Sequence, residues 1–342
     1  MKSPLPLEII GGGLAGLALA GALQRAGVPV TLFEAGEYPR HRVCGEFIAG
    51  LSPATAQKLD LEPVLGDALR HRAVAWCRHQ QPIEVQPLPA PALAVSRHRL
   101  DARLAERFIA AGGDLRTHTR VTDLAPRAGR VFATGRRPGR AGTGWLGLKL
   151  HAVGLPLACD LEVHLGDDAY VGLSAVENGR VNVCGLFRRR PLSAPAAQLL
   201  AAYLRAAGLE ALAERLATVA VDPDSFCAVA AVAFDRQVPA QDRVCLGDAC
   251  AMIPPFTGNG MAMAFQSAEA ALDPLLAYAR GEAGWVGARA AIHSALHRRF
   301  RWRLASAGAL HPYLLRPPRQ RWLVALSRAR LLPLRPLYAM MH

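Results

Sequence analysis

Two glycine-rich segments hold the residues whose types and spacing point to chemistry. The first reads GGGLAG over residues 11–16, and the second reads GDACAMIPPFTGNG over residues 247–260. Each stands directly before an apolar segment with the composition of a helix. Glycines in such a place bring bare backbone N–H groups to a helix start, where they hold phosphate or other negative charge. Both segments are therefore candidate anion-binding sites.

The first segment lies inside a strand–helix–strand pattern over residues 7–34. Gly11 allows the tight turn, Gly13 lets the backbone approach a pyrophosphate, and Gly16 lets helix and strand pack closely. Glu34 ends the second strand, where its carboxylate can accept hydrogen bonds from a ribose diol. The pattern predicts a Rossmann-type dinucleotide site, for FAD or NAD, formed by Gly11, Gly13, Leu14, Ala15, Gly16 and Glu34.

Composition limits the other classes of protein. The chain has 342 residues, 51% of them apolar, which is enough for two domains or one large interleaved domain. The sequence has no uninterrupted run of about 18 apolar residues and therefore predicts no membrane-spanning helix. No signal peptide pattern precedes the first strand, so we expect a cytoplasmic protein. The seven cysteines are never spaced Cys-x-x-Cys, and the His293–His297 pair has no acidic neighbour. We therefore expect neither a disulfide framework nor a metal site.

The net charge of +13 is concentrated in arginine, and no Asp or Glu follows Glu282. One interpretation is compositional bias on an ordinary surface. The other is a cationic face for an acidic partner or an anionic membrane surface. The last helical stretch, with Trp322 and Leu326 on one side and arginines on the other, either lies on a membrane surface or caps the rest of the fold. A nucleic-acid partner is not expected, because no recognised module accompanies the basic residues.

Together the two segments resemble the FAD signature of a large flavoprotein class. That class contains p-hydroxybenzoate hydroxylase, flavin-dependent halogenases and geranylgeranyl reductases. The resemblance implies that Gly247-Asp248 meets the ribityl chain and pyrophosphate, and that the following turn lays a helix start beside the flavin's pyrimidine end. Such a helix start stabilises the negative charge of reduced flavin near N1 and O2. The implied FAD contacts are Gly247, Asp248, Pro255, Gly258, Asn259, Gly260 and Met261.

Three further segments resemble the same class. HRVCGEF at 41–47 resembles the Cys-Gly-Glu segment of the reductase and halogenase branches, with Cys44 as a buried structural thiol. An Arg-x-x-Leu-Asp helix begins at Arg97 and leads to a Gly-Gly pair and a strand. RVFATG at 130–135 resembles the turn that closes the nucleotide domain over FAD. The implied contacts are Arg42, Arg97, Val121 (whose strand backbone meets adenine), Thr134 and Gly135.

Two absences place the chain within the class. The Asp-Gly motif of the hydroxylases is missing from residues 133–151, and no Trp-x-Trp pair of the halogenases occurs. The sequence is therefore most similar to the geranylgeranyl reductase-like branch. The predicted fold class is α/β, with a Rossmann-type FAD-binding domain on a parallel sheet interleaved with an antiparallel-sheet substrate domain. The predicted FAD-binding domain comprises 1–75, 95–150 and 235–280, the substrate domain 76–94 and 151–234, and the basic helical C-terminal segment 281–342.

The expected function is that of an FAD-dependent monooxygenase on a small aromatic or polyketide-like substrate. The alternative is an FAD-dependent reductase or dehydrogenase of an isoprenoid or acyl substrate, possibly bound to a carrier protein. NADH or NADPH would serve as a transient electron donor. No catalytic residue is assigned, because the cofactor carries the chemistry. On the inner face of the substrate sheet, His151, Tyr170, Leu173 and Asn182 are conceivable pocket residues, but a structural role is expected for each, because alternating strands place half of their side chains in a core.

Overall fold

The structure is a computed structural model that describes residues 3–78, 81–136, 144–192, 194–232 and 242–329. The strands are β1 Leu7–Ile10, β2 Val30–Phe33, β3 Phe47–Ile48, β4 Leu69–Arg78, β5 Gln81–Ala94, β6 Asp114–Arg116, β7 Arg130–Phe132, β8 Trp145–Val153, β9 Leu161–Gly166, β10 Ala169–Ala175, β11 Arg180–Arg188, β12 Ala220–Val229 and β13 Val244–Cys245. The helices are α1 Leu14–Arg25, α2 Pro53–Lys58, α3 Glu62–Leu65, α4 Arg97–Ala110, α5 Ala196–Ala206, α6 Glu210–Ala217, α7 Gly260–Ala279, α8 Trp285–Leu315 and α9 Pro317–Arg328.

A five-stranded parallel sheet with the order β13-β7-β1-β2-β6 organises the nucleotide layer. Helices α1, α4 and α7 pack with this sheet around one apolar core. Helix α1 forms from an Ala- and Leu-rich stretch and ends before Gly27, whose φ of 80° ordinary side chains rarely adopt. Because all the strands are parallel, the segments that follow β1 and β13 leave the sheet at the same edge. Both glycine-rich segments therefore meet there.

An eight-stranded sheet with the order β12-β8-β11-β10-β9-β4-β5-β3 forms the second layer. Its pairs are antiparallel except β4 with β9. Alternation along β8 sends Leu148 and Leu150 into the core under α5 and α6, and Lys149 and His151 to the opposite face. That opposite face, here the inner face, contacts the nucleotide layer at residues 41–46. The α/β fold class predicted from the sequence is confirmed by these two sheets.

The C-terminal helices join both layers. In the middle of α8, Ile292 and Phe300 enter the core of the nucleotide layer. At its end, the Leu315 carbonyl accepts a hydrogen bond of 3.1 Å from the Asp168 N–H in the β9–β10 turn. Gln320 of α9, 1% exposed, donates to the Gly166 carbonyl at 2.8 Å. Helices α8 and α9 therefore cover the layers rather than extend away from them.

Two of the predicted domain limits fall inside strands of the larger sheet: the limit at 75/76 lies within β4, and the limit at 150/151 lies within β8. The domain organisation itself stays a prediction. The end of the predicted basic segment, residues 330–342, lies outside the described residues, as do 137–143 and 233–241. Among the helices of the described residues, none is long and apolar enough to span a bilayer.

Candidate functional site

In the first glycine-rich turn, two glycines are required by the packing of the protein and a third is not. A Cβ on Gly11, whose φ is +109°, would lie 2.3 Å from the Ala133 carbonyl oxygen, and one on Gly16 would lie 2.0 Å from the Gly11 oxygen. A Cβ on Gly13 would meet nothing within 4 Å. Gly13 stands at the N-cap of α1, so the open space lies where the helix N–H groups point.

Glu34 lies at the end of β2, as predicted, and is 5% exposed. Its carboxylate accepts hydrogen bonds of 2.9 Å from the N–H groups of Gly12 and Gly36 and pairs with Arg40 at 2.6 Å. Burial alone would raise the pKa of Glu34, but these hydrogen bonds and the neighbouring guanidinium groups outweigh it and lower the pKa. An ionised acceptor therefore stands beside the glycine turn, where a ribose diol is expected.

Two arginines converge on one buried carboxylate beside this turn. Arg97 binds Asp101 through two hydrogen bonds of 2.7 and 2.8 Å, and Arg42 donates to the same carboxylate at 3.0 Å. Asp101 is fully buried. Burial lowers the pKa of Arg42, and the nearby Arg97 charge lowers it further. Because Arg42 Nη2 also lies 3.6 Å from Glu34 Oε2, three arginines (Arg40, Arg42 and Arg97) face the two carboxylates of Glu34 and Asp101, which favours an anion here.

The second glycine-rich segment reaches the first one in space. The Gly247 N–H donates to Ser267 Oγ at 2.9 Å, and a Cβ on Gly247 would lie 3.3 Å from the Ala15 side chain. The next residue, Asp248, has a pKa raised by burial, while the charges of Arg97 and Arg136 act in the opposite direction. Residues more than 200 positions apart in the chain therefore lie side by side.

The turn before α7 exposes backbone in the same way as the first turn. Gly258 has a φ of +68°, and a Cβ there would lie 2.1 Å from the Phe47 ring, so only glycine fits. A Cβ on Gly260 would meet nothing within 4 Å, and the same holds for Gly135. Asn259 is the fully buried N-cap residue between the two glycines. Gly13, Gly135 and Gly260 thus leave backbone open that the packing of the protein does not cover.

Two buried arginine groups beside these turns indicate what kind of ligand could bind there. Arg42 Nη2 and Arg136 Nη1 are buried and make no hydrogen bond within the described residues. Phosphate oxygens would satisfy such donors, and bare glycine backbone would lie against the rest of a dinucleotide. The residues present therefore fit an FAD molecule, and the Rossmann turn and the α7 start would hold its two ends.

The remaining predicted cofactor residues differ in their placement. Leu14 and Ala15 open α1, Met261 is buried in the first turn of α7, and Thr134 is exposed after β7. Val121 packs against the apolar group around Phe132, but it lies outside any strand. The strand expected to include it does form, as β6, but ends at Arg116; beyond that residue the N–H groups of His118 and Thr119 bond the carbonyls of Gly36 and Glu34.

The pocket residues predicted on the larger sheet fall on both faces. Asn182 is fully buried on the inner face and donates to the Cys44 carbonyl at 2.9 Å. His151 and Tyr170 lie on that face as well. Leu173 does not, because it stands three positions from Tyr170 and strand alternation turns it into the core under α5 and α6. Leu173 is therefore a core residue and does not line a pocket on the inner face.

A buried charge cluster behind Cys44 was not anticipated from the sequence. Glu46 lies with a φ of 56° and is fully buried; its carboxylate is 2.6 Å from His151 Nε2 and 3.3 Å from Lys149 Nζ. It also accepts the Arg97 N–H at 3.1 Å. Burial would raise the pKa of Glu46, but His151 and Lys149 outweigh that effect and lower it. The cluster fixes the Cys-Gly-Glu loop and the start of α4 against the inner face.

The same cluster contains metal-ligand types. Ligand atoms of His41, Glu46 and His151 lie within 4.8 Å of one another. The Lys149 ammonium is 2.9 Å from His41 Nδ1, so a positive charge already stands among them and opposes a bound cation. The His293–His297 pair gives no second cluster: His293 Nε2 faces the Arg243 carbonyl at 2.7 Å, and His297 is exposed.

Four aromatic rings lie together at the apolar end of the inner face, and of these the sequence indicates only Tyr170 as a pocket residue. The aromatic wall consists of Trp145, Tyr170, Phe256 and His311. Phe256 comes from the turn before α7 and His311 from α8, so no local sequence pattern joins them. The signal available was the position of Phe256 inside the second glycine-rich segment. His311 became visible only once α8 was placed on the sheet.

Comparison with known proteins agrees with the architecture. Residues 9–44 match the family model of the NAD(P)-binding Rossmann-like domain. The p-nitrophenol 4-monooxygenase PnpA from Pseudomonas putida has a similar structure, with a TM-score of 0.76 and 14% identity over 100% of this chain and 97% of PnpA. HpxO from Klebsiella pneumoniae, whose structure contains FAD and uric acid, gives a TM-score of 0.75 and 16% identity over 99% and 97% of the two chains. The chain therefore has the fold of these proteins, built on a Rossmann-type dinucleotide domain.

One relative is similar in sequence over a shorter stretch. The menaquinone reductase of Mycolicibacterium smegmatis is 29% identical over 139 residues, which is 39% of this chain and 34% of the reductase. The match thus spans about a third of the length of that relative. This chain is therefore similar in sequence to a reductase and similar in structure to a monooxygenase.

Proposed function

We propose that the protein is an FAD-dependent oxidoreductase, and that it is a monooxygenase of a small aromatic or polyketide-like substrate. The observation that carries the proposal is the meeting of two open helix starts, at Gly13 and at Gly260, on one edge of the parallel sheet. A nicotinamide dehydrogenase has no need of the second helix start. A flavin has that need, since its reduced ring carries negative charge.

FAD, when bound, supplies two-electron chemistry and reactivity toward oxygen. In this proposal the Rossmann turn and Glu34 bind the adenosine half, and Arg42, Arg97 and Asp248 border the phosphates and ribityl chain. The backbone at Gly258–Gly260 would lie against the flavin ring. NADH or NADPH acts as the transient donor. The structural relatives include a p-nitrophenol 4-monooxygenase and a protein whose structure contains uric acid, which supports a small ring as substrate.

The first experiment is a visible spectrum of the purified protein, before and after incubation with FAD. We expect flavin absorbance, NADH or NADPH oxidation that a ring substrate stimulates, and a product heavier by one oxygen atom. A colourless protein that FAD does not reconstitute would contradict the proposal. Flavin binding without oxygen transfer to any ring substrate would leave the cofactor assignment and remove the monooxygenase.

A reductase or dehydrogenase is the second candidate, favoured by the sequence match to a menaquinone reductase. It would use the same FAD site on an isoprenoid or acyl substrate. The mass of the product separates the two functions: a gain or a loss of two hydrogens identifies this candidate, and a gain of one oxygen identifies the first.

An acidic partner is proposed for the arginine-rich C-terminal helices. Trp302 is 68% exposed and Trp322 is 69% exposed, and arginines surround both along the chain. Either an acidic carrier protein or an anionic membrane surface would match this charge. Binding to anionic vesicles and to an acidic carrier protein should fall as salt is raised, with neutral vesicles as the control. Absence of binding at low salt would contradict the partner.

A further inference from the structure

A cavity of about 540 Å³ lies at the end of the larger sheet, where β11 ends. Three consecutive arginines, at positions 188–190, line one part of it, and Leu146, Leu192 and Leu199 line another. Leu146 and Leu199 pack against the core under α5 and α6. No candidate FAD contact lines this cavity. It is therefore a second concave site, with a cationic part and an apolar part.

The arginine segment is held on α5 by Tyr203. The Tyr203 hydroxyl donates to the Arg190 carbonyl at 3.0 Å and accepts the Arg190 N–H at 3.2 Å. The Arg190 guanidinium donates to the carbonyl of Ala206, and also to the carbonyl of Asp167 at 3.2 Å. These partners are neutral, so they fix the segment in place without neutralising its charge.

The charge of the three arginines is not compensated by ion pairs. The Arg188 guanidinium lies over the Trp145 ring at 5.5 Å. Arg189 is exposed, and its side chain makes no hydrogen bond within the described residues. Asp167 and Asp168, on the neighbouring β9–β10 turn, are exposed, and in the part of the chain that the structure describes neither carboxylate pairs with these arginines. A guanidinium group has five N–H donors, so all three keep donors for an anion.

Helix α5 adds to the positive potential of the cavity. It begins at Ala196 and has no side-chain cap. Leu199, in its first turn, lines the cavity. The positive end of the helix dipole therefore lies beside the cavity.

A second cavity provides a comparison. It has a volume of about 400 Å³, lies between α2, α7 and α8, and is also lined by three basic side chains. Two of them are paired within it, Lys58 with Asp273 at 2.7 Å and Arg299 with Glu269 at 2.7 Å. Most of the charge in that cavity is compensated by the protein itself, whereas the charge at positions 188–190 can be compensated by a ligand.

We propose that the cavity at positions 188–190 binds an amphiphilic anion, a phosphate monoester carried on a single alkyl chain. The arginines bind the phosphate, because guanidinium N–H groups match its oxygens in geometry and charge. The three leucines contact the alkyl chain, whose removal from water is favourable in proportion to its buried area. The volume lies within the range of about 300–1,000 Å³ that is usual for small-molecule sites. This ligand is additional to the FAD and the ring substrate of the proposed function.

Calorimetric titration of the full chain tests the chemistry of the ligand. The probes are decyl phosphate, decanol and glycerol phosphate, each below the concentration at which it aggregates. Decyl phosphate should bind at least about ten-fold more tightly than either of the others, because each of these lacks one half of the contacts. Its affinity should fall as salt is raised. If decanol or glycerol phosphate binds as tightly as decyl phosphate, or if decyl phosphate does not bind, the proposal is wrong.

Two variants separate the parts of the site. Arg189→Gln should weaken decyl phosphate binding about ten-fold and leave decanol binding unchanged, since one charged hydrogen-bond donor is lost. Leu192→Ser, at a side chain that is 37% exposed, should weaken decyl phosphate and leave glycerol phosphate unchanged. Arg298→Gln is the matched control, because it removes the same charge from an exposed arginine of the other cavity. Equal weakening by Arg189→Gln and Arg298→Gln would mean that only the net charge matters, and would overturn the site.

The titrations are repeated with and without FAD. An unchanged affinity for decyl phosphate is expected, since the two ligands bind at different places. Displacement of decyl phosphate by FAD would overturn the proposal, because the alkyl phosphate would then occupy the cleft assigned to the cofactor. Binding to phosphatidic acid vesicles without binding of decyl phosphate would also overturn it, in favour of a membrane surface. A protein that binds decyl phosphate but no FAD contradicts the proposed function and leaves this site intact.

Discussion

Gly13 and Gly16 belong to one motif but differ in what a methyl group would meet. At Gly13 the Cβ of Gly13→Ala has open space, so the free energy of unfolding should change by less than about 1 kcal/mol. FAD affinity should fall at least ten-fold, roughly the effect of blocking one close phosphate approach. Calorimetric titration with FAD and denaturant unfolding of the free protein measure the two effects.

Gly16→Ala is the control for that pair. Its Cβ would lie 2.0 Å from the Gly11 oxygen, so the fold itself should lose about 1–3 kcal/mol, as in other overpacked sites. A Gly13→Ala protein that binds FAD as tightly as the unmodified chain would show that no cofactor lies against this backbone.

Glu46 compensates a buried ammonium. Replacement of Glu46 by Gln leaves the fully buried Lys149 without its carboxylate, which should cost about 3–5 kcal/mol of stability. Adding Lys149→Met removes the charge that was left unpaired. The double variant should therefore be more stable than Glu46→Gln alone, as urea unfolding of four proteins would show: the unmodified chain, the two single variants and the double variant. If the double variant loses as much stability as the two single variants together, Glu46 and Lys149 do not interact.

At the scale of elements, Glu162 joins β9 to α6. It is 1% exposed, and its carboxylate accepts hydrogen bonds from His164 at 2.7 Å, from Arg215 of α6 at 3.0 Å and from the Ala158 N–H at 2.6 Å. Burial by itself would raise the pKa of Glu162. The hydrogen bonds of His164 and Arg215 outweigh it and lower the pKa to about 2.

A lowered pKa in the folded state makes this contact sensitive to acid. Its stabilisation is complete above the ordinary glutamate pKa of 4.5 and is lost as the pH falls towards 2. Glu162→Gln should therefore flatten the loss of stability between those two pH values. Melting temperatures measured across that interval provide the test, with the exposed Glu282→Gln as control. An unchanged slope in Glu162→Gln would contradict the assignment.

The elements themselves were predicted unevenly. The strand–helix–strand unit was predicted well, because its residues contact one another within 30 positions or so of the chain. The strand expected to include Val121 forms only as β6, which ends at Arg116, since strand formation depends on a partner and not only on composition. Leu173, considered for the pocket together with Tyr170, lies in the core, because period-two alternation places residues three positions apart on opposite faces.

At the scale of the whole molecule, the cofactor should stabilise the fold. FAD would contact segments that follow β1, β7 and β13, which are far apart in the unfolded chain. Binding to the folded state alone adds about 2.7 kcal/mol when free FAD is 100 times its dissociation constant. Denaturant midpoints at increasing FAD should rise accordingly, and Gly13→Ala should need more FAD for the same rise. Midpoints independent of FAD would contradict the site.

The sequence by itself determined the dinucleotide motif, the acid at its second strand and the second helix start. Each of these is a local pattern in which glycine or a carboxylate has a stereochemical reason to stand at one spacing. Only the tertiary structure decided that Glu46 meets Lys149 and His151, and that His311 of α8 faces Phe256 and Tyr170. Those contacts join residues about 55 to 140 positions apart, and packing between layers, which no local period records, brings them together.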